Sequence, residues 1–300
     1  MSFLVRLPAD QYQRDAFDAF APNGFSLGSG RAAAWLSQLA YEDDADKIAS
    51  IADAWGLQSI ASFMPSLVGL PSQPSTRGLA LQGRGAHFIV FAGTDPLVLA
   101  NWVTNFNFRR DADGIHVGFA AALDVVWPDI VAALRQHGPV DRLIVTGHSL
   151  GAALAALCAR RLLAELATGQ PAIYTFGMPR AGSAEFADPF NQALGDRTYR
   201  FVHGADIVPR VPPSELGFKH VGRPISCASG GKFDPATLSA QPADAPQFAG
   251  ELLADLKGSL IRMFGPSLTQ ARPDLLGQAS RLLPPTIADH LPDRYWRALQ

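Results

Sequence analysis

The sequence predicts an α/β protein with a mostly parallel central sheet and helices on both faces. Three observations carry this prediction. Strand-like and helical runs alternate from residue 142 to residue 203, the order of a parallel sheet built from crossovers. The run 142–146 (RLIVT) reads as a short buried strand and passes at once into a helical run. Hydrophobic residues make up 48% of the 300 residues and charged residues 17%, ample for a sizeable core and too apolar for a disordered chain.

The elements follow in order. Residues 31–41 (RAAAWLSQLAY) and 44–55 (DADKIASIADAW) read as amphipathic helices, the second capped by acidic residues. Residues 78–82 and 87–91 flank Gly83-Arg84-Gly85 and form a hairpin. Residues 117–134 have helical period, with Pro128 as a kink. After strand 142–146 come a helix at 150–166, a strand at 172–176, a helix around 185–194 and a strand at 198–203. Residues 229–247 are rich in Gly, Ser, Pro and Ala and read as a loop. Phe248, Leu252, Leu256, Leu260 and Phe264 then recur every four residues as one apolar helical stripe. A further helical stretch, 275–283, precedes a segment at 286–299 that is helical or loop-like and carries His290. We treat residues 1–300 as one domain, with 229–285 as a helical cap or insertion; its stripe suits a second cap, an acyl-binding wall or plain core packing.

Composition removes several function classes. The 25 basic and 27 acidic residues give a formal charge of −2, so nothing supports binding to nucleic acid through phosphates. Cys158 and Cys227 cannot make a disulfide framework and lack zinc-ligand spacing. The N-terminal apolar stretch is broken by Arg6 and Pro8 and does not read as a secretory signal. No uncharged stretch suits a membrane span. The expectation is a cytoplasmic protein, with export without a cleavable signal left open. Oligomeric state is not legible.

The sharpest signal is Gly147-His148-Ser149-Leu150-Gly151, between strand RLIVT and the helical run LGAALAALCARRLL. This is the strand–turn–helix context of a G-x-S-x-G nucleophile elbow. The turn is tight enough that a Cβ at 147 or 151 would collide, and the helix N-terminus favours developing negative charge. The competing reading is a glycine-rich turn with a serine N-cap. A serine nucleophile needs a histidine base, and the histidine needs a carboxylate. In chain order the acid and then the histidine follow the serine. Asp206, a short turn beyond strand TYRFVH, suits the acid; Asp188 and Asp196 read as surface or cap residues. The same order leaves His220 and His290 for the base. An oxyanion needs preorganised N–H donors: the residue after the serine, Leu150, and the strand-to-loop junction at Thr94.

The chain resembles the class 3 (fungal-type) lipase family of α/β-hydrolases. The matching blocks, in the family's order, are FAGTD (91–95), NWVTNFNF (101–108), HVGF (116–119), VTGHSLGAALAAL (145–157), FGMPRAGSAEFA (176–187) and RFVHGADIVPRVPP (200–213). The late DHLPDRYW (289–296) resembles the block that carries the family's histidine. The resemblance implies an α/β-hydrolase fold with Ser149, Asp206 and His290 as the triad. His220 then becomes a packing or hydrogen-bonding residue. It implies that Thr94 supplies a backbone N–H and a hydroxyl to the oxyanion. It further implies that residues 95–105 form a helical lid presenting Leu97, Leu99, Trp102 and Val103; the plainer reading is a buried connector helix. Ala92 stands where the family usually has arginine, which puts a charge contact to the lid in doubt.

These readings combine into a serine carboxylic-ester hydrolase of lipase type, acting on acylglycerols or related lipid esters at a lipid–water interface, with no metal or organic cofactor. A phospholipase A1 or short-chain esterase would use the same machinery. A catalytically silent hydrolase-like binding protein is the alternative of another class.

Overall fold

A computed structural model of the chain describes residues 5–63, 76–94, 108–137, 141–166, 169–239 and 285–300. Seven strands make one sheet: β1 (Leu57–Phe63), β2 (Gly78–Gly83), β3 (Ala86–Phe91), β4 (Leu143–His148), β5 (Ala172–Phe176), β7 (Thr198–His203) and β9 (Arg223–Cys227). They lie in the order β1-β2-β3-β4-β5-β7-β9. The pairs β1–β2 and β2–β3 are antiparallel, and every pair from β3 to β9 is parallel. A separate two-stranded ribbon joins β6 (Gly182–Ser183) to β8 (Phe218–Lys219).

Alternation along the strands divides the core into two layers. Phe88, Val90, Ile144, Tyr174 and Phe176 point to one layer; Ile89, Phe91, Val145 and Ile173 point to the other. The first layer is closed by helices α1 (Leu27–Leu39) and α2 (Ala45–Ala54) and by the C-terminal helix α7 (Pro292–Ala298), which the short α6 (Pro285–Ala288) precedes. The second is closed by α3 (Val117–Gln136), α4 (Leu150–Glu165) and α5 (Ala184–Leu194). All six residues of β4 are buried, which explains why Leu143, Ile144 and Val145 follow one another without polar alternation.

Local chemistry sets most boundaries. Asp44 caps α2, its Oδ1 accepting from Asp46 N at 3.0 Å and Lys47 N at 3.1 Å; such a cap stabilises by about 1 kcal/mol. His116 caps α3 through Nδ1, which accepts from Gly118 N at 3.1 Å. In the β2–β3 hairpin Arg84 and Gly85 both have left-handed backbone (φ 51° and 74°), the twist a two-residue hairpin turn requires. Helix α3 runs on through Pro128, which lies on its exposed side. This is the one described helix long and apolar enough to cross a membrane; its apolar face, including Phe119, Trp127 and Ile130, is buried in the core.

Three expectations differ from the fold. The helix expected at 31–41 begins at Leu27, where Ser26 Oγ accepts from Ser29 N. It is buried on nearly all sides instead of one, because α7 covers the side that a surface helix would expose: Trp296 stacks on Trp35 at 4.3 Å. Strands β1 and β9 were not anticipated. Both are edge strands; β1 has a bulge between Ser59 and Ala61, and β9 contains Pro224, so neither carries a clean alternation. Finally, residues 229–239 are not part of a cap. Phe233 packs on Phe201 at 5.0 Å, and Ser239 N donates to Pro224 O along β9. The stripe 248–264, the helix at 275–283 and the lid segment with Leu97, Leu99, Trp102 and Val103 lie outside the described residues.

Candidate active site

Four chain segments meet at the carboxyl ends of the parallel strands, where open α/β sheets bind ligands. The first is the turn after β4. Ser149 has φ 59° and ψ −127°, one of two non-glycine residues with left-handed φ among the described residues. Such a conformation costs about 1–3 kcal/mol and persists only where the surroundings enforce it. Here Ser149 N donates to Phe176 O at 2.9 Å. A Cβ on Gly147 would lie 2.2 Å from Gly151 O, and one on Gly151 would lie 2.4 Å from Phe91 O. The two glycines therefore let β3, β4 and the start of α4 close around the serine. Ser149 Oγ makes no capping bond to the helix, so the N-cap reading of this serine fails.

The second segment leaves β3. A Cβ on Gly93 would lie 2.7 Å from Ser149 Cβ and 2.6 Å from His148 O. The loop thus runs against the elbow, with Thr94 the next residue. Leu150 opens α4, where the first backbone N–H groups have no partner within the helix. The third segment follows β7 and carries Asp206. Its Oδ1 accepts from Val208 N at 2.8 Å, and its Oδ2 accepts from the Tyr295 hydroxyl. The fourth is the turn between α6 and α7, which carries His290.

His290 Nδ1 lies 2.8 Å from Asp206 Oδ2 and 2.9 Å from Oδ1. A carboxylate only accepts, so Nδ1 carries the proton and Nε2 presents a lone pair. Gly177, at the end of β5, has φ +58°, and a Cβ there would lie 2.8 Å from Asp206 Oδ2 and 2.9 Å from His290 Nδ1. Glycine at 177 is what lets acid and base lie against the sheet. Burial of Tyr295, then the Asp206 charge, holds the Tyr295 hydroxyl well above its ordinary pKa, so it remains a donor.

Ser149, Asp206, His290 and Thr94 are 0%, 1%, 2% and 8% exposed. Yet Ser149 Oγ, His290 Nε2 and Thr94 Oγ1 are buried polar atoms without a hydrogen-bond partner among the described residues. Buried polar atoms are almost always paired in folded proteins, because an unpaired one costs about 1–3 kcal/mol. Such atoms also occur elsewhere among the described residues, Trp35 Nε1 for one, so the weight rests on where these three lie: the Thr94 segment runs against Ser149, and the His290 ring lies against His148. The arrangement can deprotonate a hydroxyl, attack a carbonyl and hold the oxygen that becomes negative.

The other histidines are engaged elsewhere. His220 Nε2 donates to Pro209 O at 2.7 Å, and burial with Arg200 and Arg180 nearby holds the ring well below its ordinary pKa. His203 lies 3.4 Å from Asp289 Oδ1. His148 sits beneath the elbow and bonds Tyr41 and the His290 carbonyl. Asp188 and Asp196 are exposed. Sequence reasoning missed Gly177 and the hydroxyl of Tyr295 as parts of the site; an aromatic pair near His290 was the only signal. Among the described residues no His, Cys, Asp and Glu cluster could hold a metal ion. Grooves of about 560 and 480 Å³, lined by residues such as His87, Arg142 and Ala172, lie at the amino ends of the strands, away from Ser149.

Residues 88–216 match the profile of the lipase (class 3) family. This span includes Ser149 and Asp206, and His290 lies beyond it. A secreted mono- and diacylglycerol lipase of Fusarium solani is 38% identical over 156 residues, 49% of this chain and 45% of that protein. A lipase of Rhizopus oryzae is 36% identical over 146 residues, 45% of this chain and 37% of that protein. The chain thus spans under half the length of these curated relatives. Among solved structures, lipase II from Rhizopus niveus superposes with a TM-score of 0.58 at 24% identity, over 71% of this chain and 86% of that one, which establishes the α/β-hydrolase fold. The relatives correct one expectation. Proteins similar to this chain are named secreted lipases, in Fusarium and in Malassezia, which overturns the cytoplasmic assignment. That assignment rested on Arg6 and Pro8 breaking the N-terminal apolar stretch; both belong to the described fold, where Arg6 pairs with Asp43.

Proposed function

We propose that this chain, whose residues 88–216 match the class 3 lipase family, is a serine carboxylic-ester hydrolase of lipase type. The observation that carries the proposal is that the Asp206–His290 pair and the Thr94 segment both lie against the Ser149 elbow, with Ser149 Oγ, His290 Nε2 and Thr94 Oγ1 buried and without a partner among the described residues. Ser149 attacks the ester carbonyl while His290 Nε2 takes its proton. Asp206 holds the imidazole in the required tautomer and stabilises the imidazolium. The backbone N–H groups of Thr94 and Leu150, with the Thr94 hydroxyl, bind the oxyanion. His290 then protonates the departing alcohol, and a water deprotonated by His290 releases the acid from Ser149.

The substrates proposed are acylglycerols, partial glycerides foremost, taken at a lipid–water interface outside the cell; the likeness to secreted mono- and diacylglycerol lipases supports this choice. One sheet with a core layer on each face supports reading residues 1–300 as a single hydrolase domain.

The test is hydrolysis of p-nitrophenyl esters from short to long acyl chains and of mono-, di- and triacylglycerols, with fluorophosphonate labelling of the serine. We expect labelling at Ser149, loss of turnover in Ser149→Ala, and retention of most activity in His220→Ala. Ester hydrolysis that survives Ser149→Ala, or a folded protein that no phosphonate labels, would refute the assignment. A profile confined to short chains would make the enzyme an esterase.

A further inference from the structure

The residue before the nucleophile is not explained by the triad. His148 is buried, 2% exposed, with its ring under the site. Its Nε2 lies 2.7 Å from the carbonyl oxygen of His290. A carbonyl only accepts, so Nε2 carries the proton. Its Nδ1 lies 2.7 Å from Tyr41 Oη. In a neutral ring that nitrogen has only a lone pair, so the tyrosine hydroxyl donates to it. The two imidazoles are themselves in contact, with centroids 4.6 Å apart and planes tilted by 33°. The edge of Tyr295, which bonds Asp206, lies against the same ring.

From this chain of contacts we infer that His148 is a positioning residue for His290, with Tyr41 setting its tautomer; the inference rests on the hydrolase reading above. His290 sits in a turn between helices of four and seven residues, too short to fix a side chain by themselves. His148 pins the main chain of that turn and floors its ring, so the elbow that holds the nucleophile also sets the distance to the base. Neutrality is part of the device. Burial, and then the neighbouring His290 charge, keeps His148 well below the ordinary imidazole pKa. A charged ring there would oppose the imidazolium that forms on His290 during attack.

The experiment compares His148→Gln, His148→Asn and Tyr41→Phe. Glutamine places an amide N–H near the position of Nε2 and keeps a donor for the His290 carbonyl. Asparagine places it near Nδ1, beside Tyr41, and leaves that carbonyl without one. All three variants are uncharged at the altered position. The readouts are kcat and KM for p-nitrophenyl butyrate, the second-order rate of Ser149 phosphonylation, and Tm. For His148→Asn we expect kcat and phosphonylation to fall together by roughly ten- to a hundredfold with KM near wild type, the size of a misplaced catalytic group. His148→Gln should recover most of that loss, and Tyr41→Phe should show a smaller loss of the same pattern. A folded His148→Asn with wild-type kcat overturns the inference, as does an equal loss in the Asn and Gln variants, which would indicate packing alone. Should His148→Asn not fold, Tyr41→Phe decides, and unchanged kcat and labelling there overturn it. Wild-type protein that is never labelled refutes the hydrolase reading itself; labelled wild type with unaffected variants refutes only the role of His148.

Discussion

The two halves of the candidate site are built in opposite ways. Ser149 is held by its own neighbourhood: β4, the glycines at 147 and 151, and the first turn of α4 lie within a few residues of it. His290 lies 84 positions beyond Asp206 on a short-helix segment with little structure of its own. That segment is attached by single contacts from distant parts of the chain. His148 bonds the His290 carbonyl, Ala205 N donates to Asp289 Oδ2 at 2.8 Å, Ile207 N donates to Thr286 O at 3.2 Å, and Trp35 stacks on Trp296. The nucleophile is therefore a product of local backbone geometry, and the base a product of tertiary docking. The first should tolerate a loosened core as long as the strand exists; the second should not.

The comparison breaks most severely at the reacting groups. Ser149→Gly and His290→Ala should each lower ester turnover by about 10³-fold or more, the scale seen when a triad member is removed. Their effects on stability should differ. Glycine relieves the left-handed backbone at 149 and should stabilise by about 1 kcal/mol, read as a raised Tm. His290→Ala leaves Asp206, buried with Tyr295 and Val208 still donating to it, without its imidazole partner and should lower it. A Ser149→Gly variant no more stable than wild type would remove the case for enforced strain at the elbow.

A change remote from both reacting atoms sharpens the contrast. Trp296→Ala removes a buried stack at the docking surface of α7 and should cost about 3–5 kcal/mol. Below the melting temperature, turnover and the rate of phosphonylation should fall together while the elbow itself stays folded. Hydrogen exchange would show it: amides of 285–300 should lose protection before those of β4 and α4. Equal loss of protection in both regions would contradict separate docking.

On activity the smallest effect comes from proton uptake, which bears on stability. Burial holds His148 and His220 well below the ordinary imidazole pKa of 6.5. Below pH 6.5 the unfolded chain takes up protons that the folded chain refuses. Stability should therefore decline as pH falls from 6.5, by up to about 1.4 kcal/mol per pH unit for each such histidine, and be unaffected by these groups above it. Thermal melts between pH 8 and 5 test this, and His220→Gln should flatten the curve. A curve just as steep in that variant would place the proton uptake elsewhere.

Most of the fold is legible in the residues because it depends on periodicity. The helix at 150–165, strands β5 and β7 and the hairpin β2–β3 follow from runs whose apolar spacing has one stable reading. The edge strands β1 and β9 are not legible, since a bulge or a proline removes the alternation and hydrogen bonds from a single neighbour create the strand. Residues 27–39 look like a surface helix until α7, remote in sequence, covers them. In the site, the elbow is read from five residues, where a side chain at 147 would strike Gly151; at Gly151 the clash is with Phe91, the last residue of β3, and with Ala92 after it. Asp206 follows from chain order and from the strand before it.

His290 is different in kind. From the residues alone it competes with His220, since both follow Asp206 and nothing local separates a base from a core histidine. Only the folded chain puts one imidazole 2.8 Å from the carboxylate and commits the other to Pro209 O. The same holds for Gly177, whose missing side chain admits acid and base together, and for the Tyr41–His148 pair beneath them. Sequence alone determines what steric clash and apolar periodicity decide over a few turns of chain. Which distant polar atoms become partners is decided by tertiary packing, because a hydrogen bond is specific at 3 Å and silent in the order of residues.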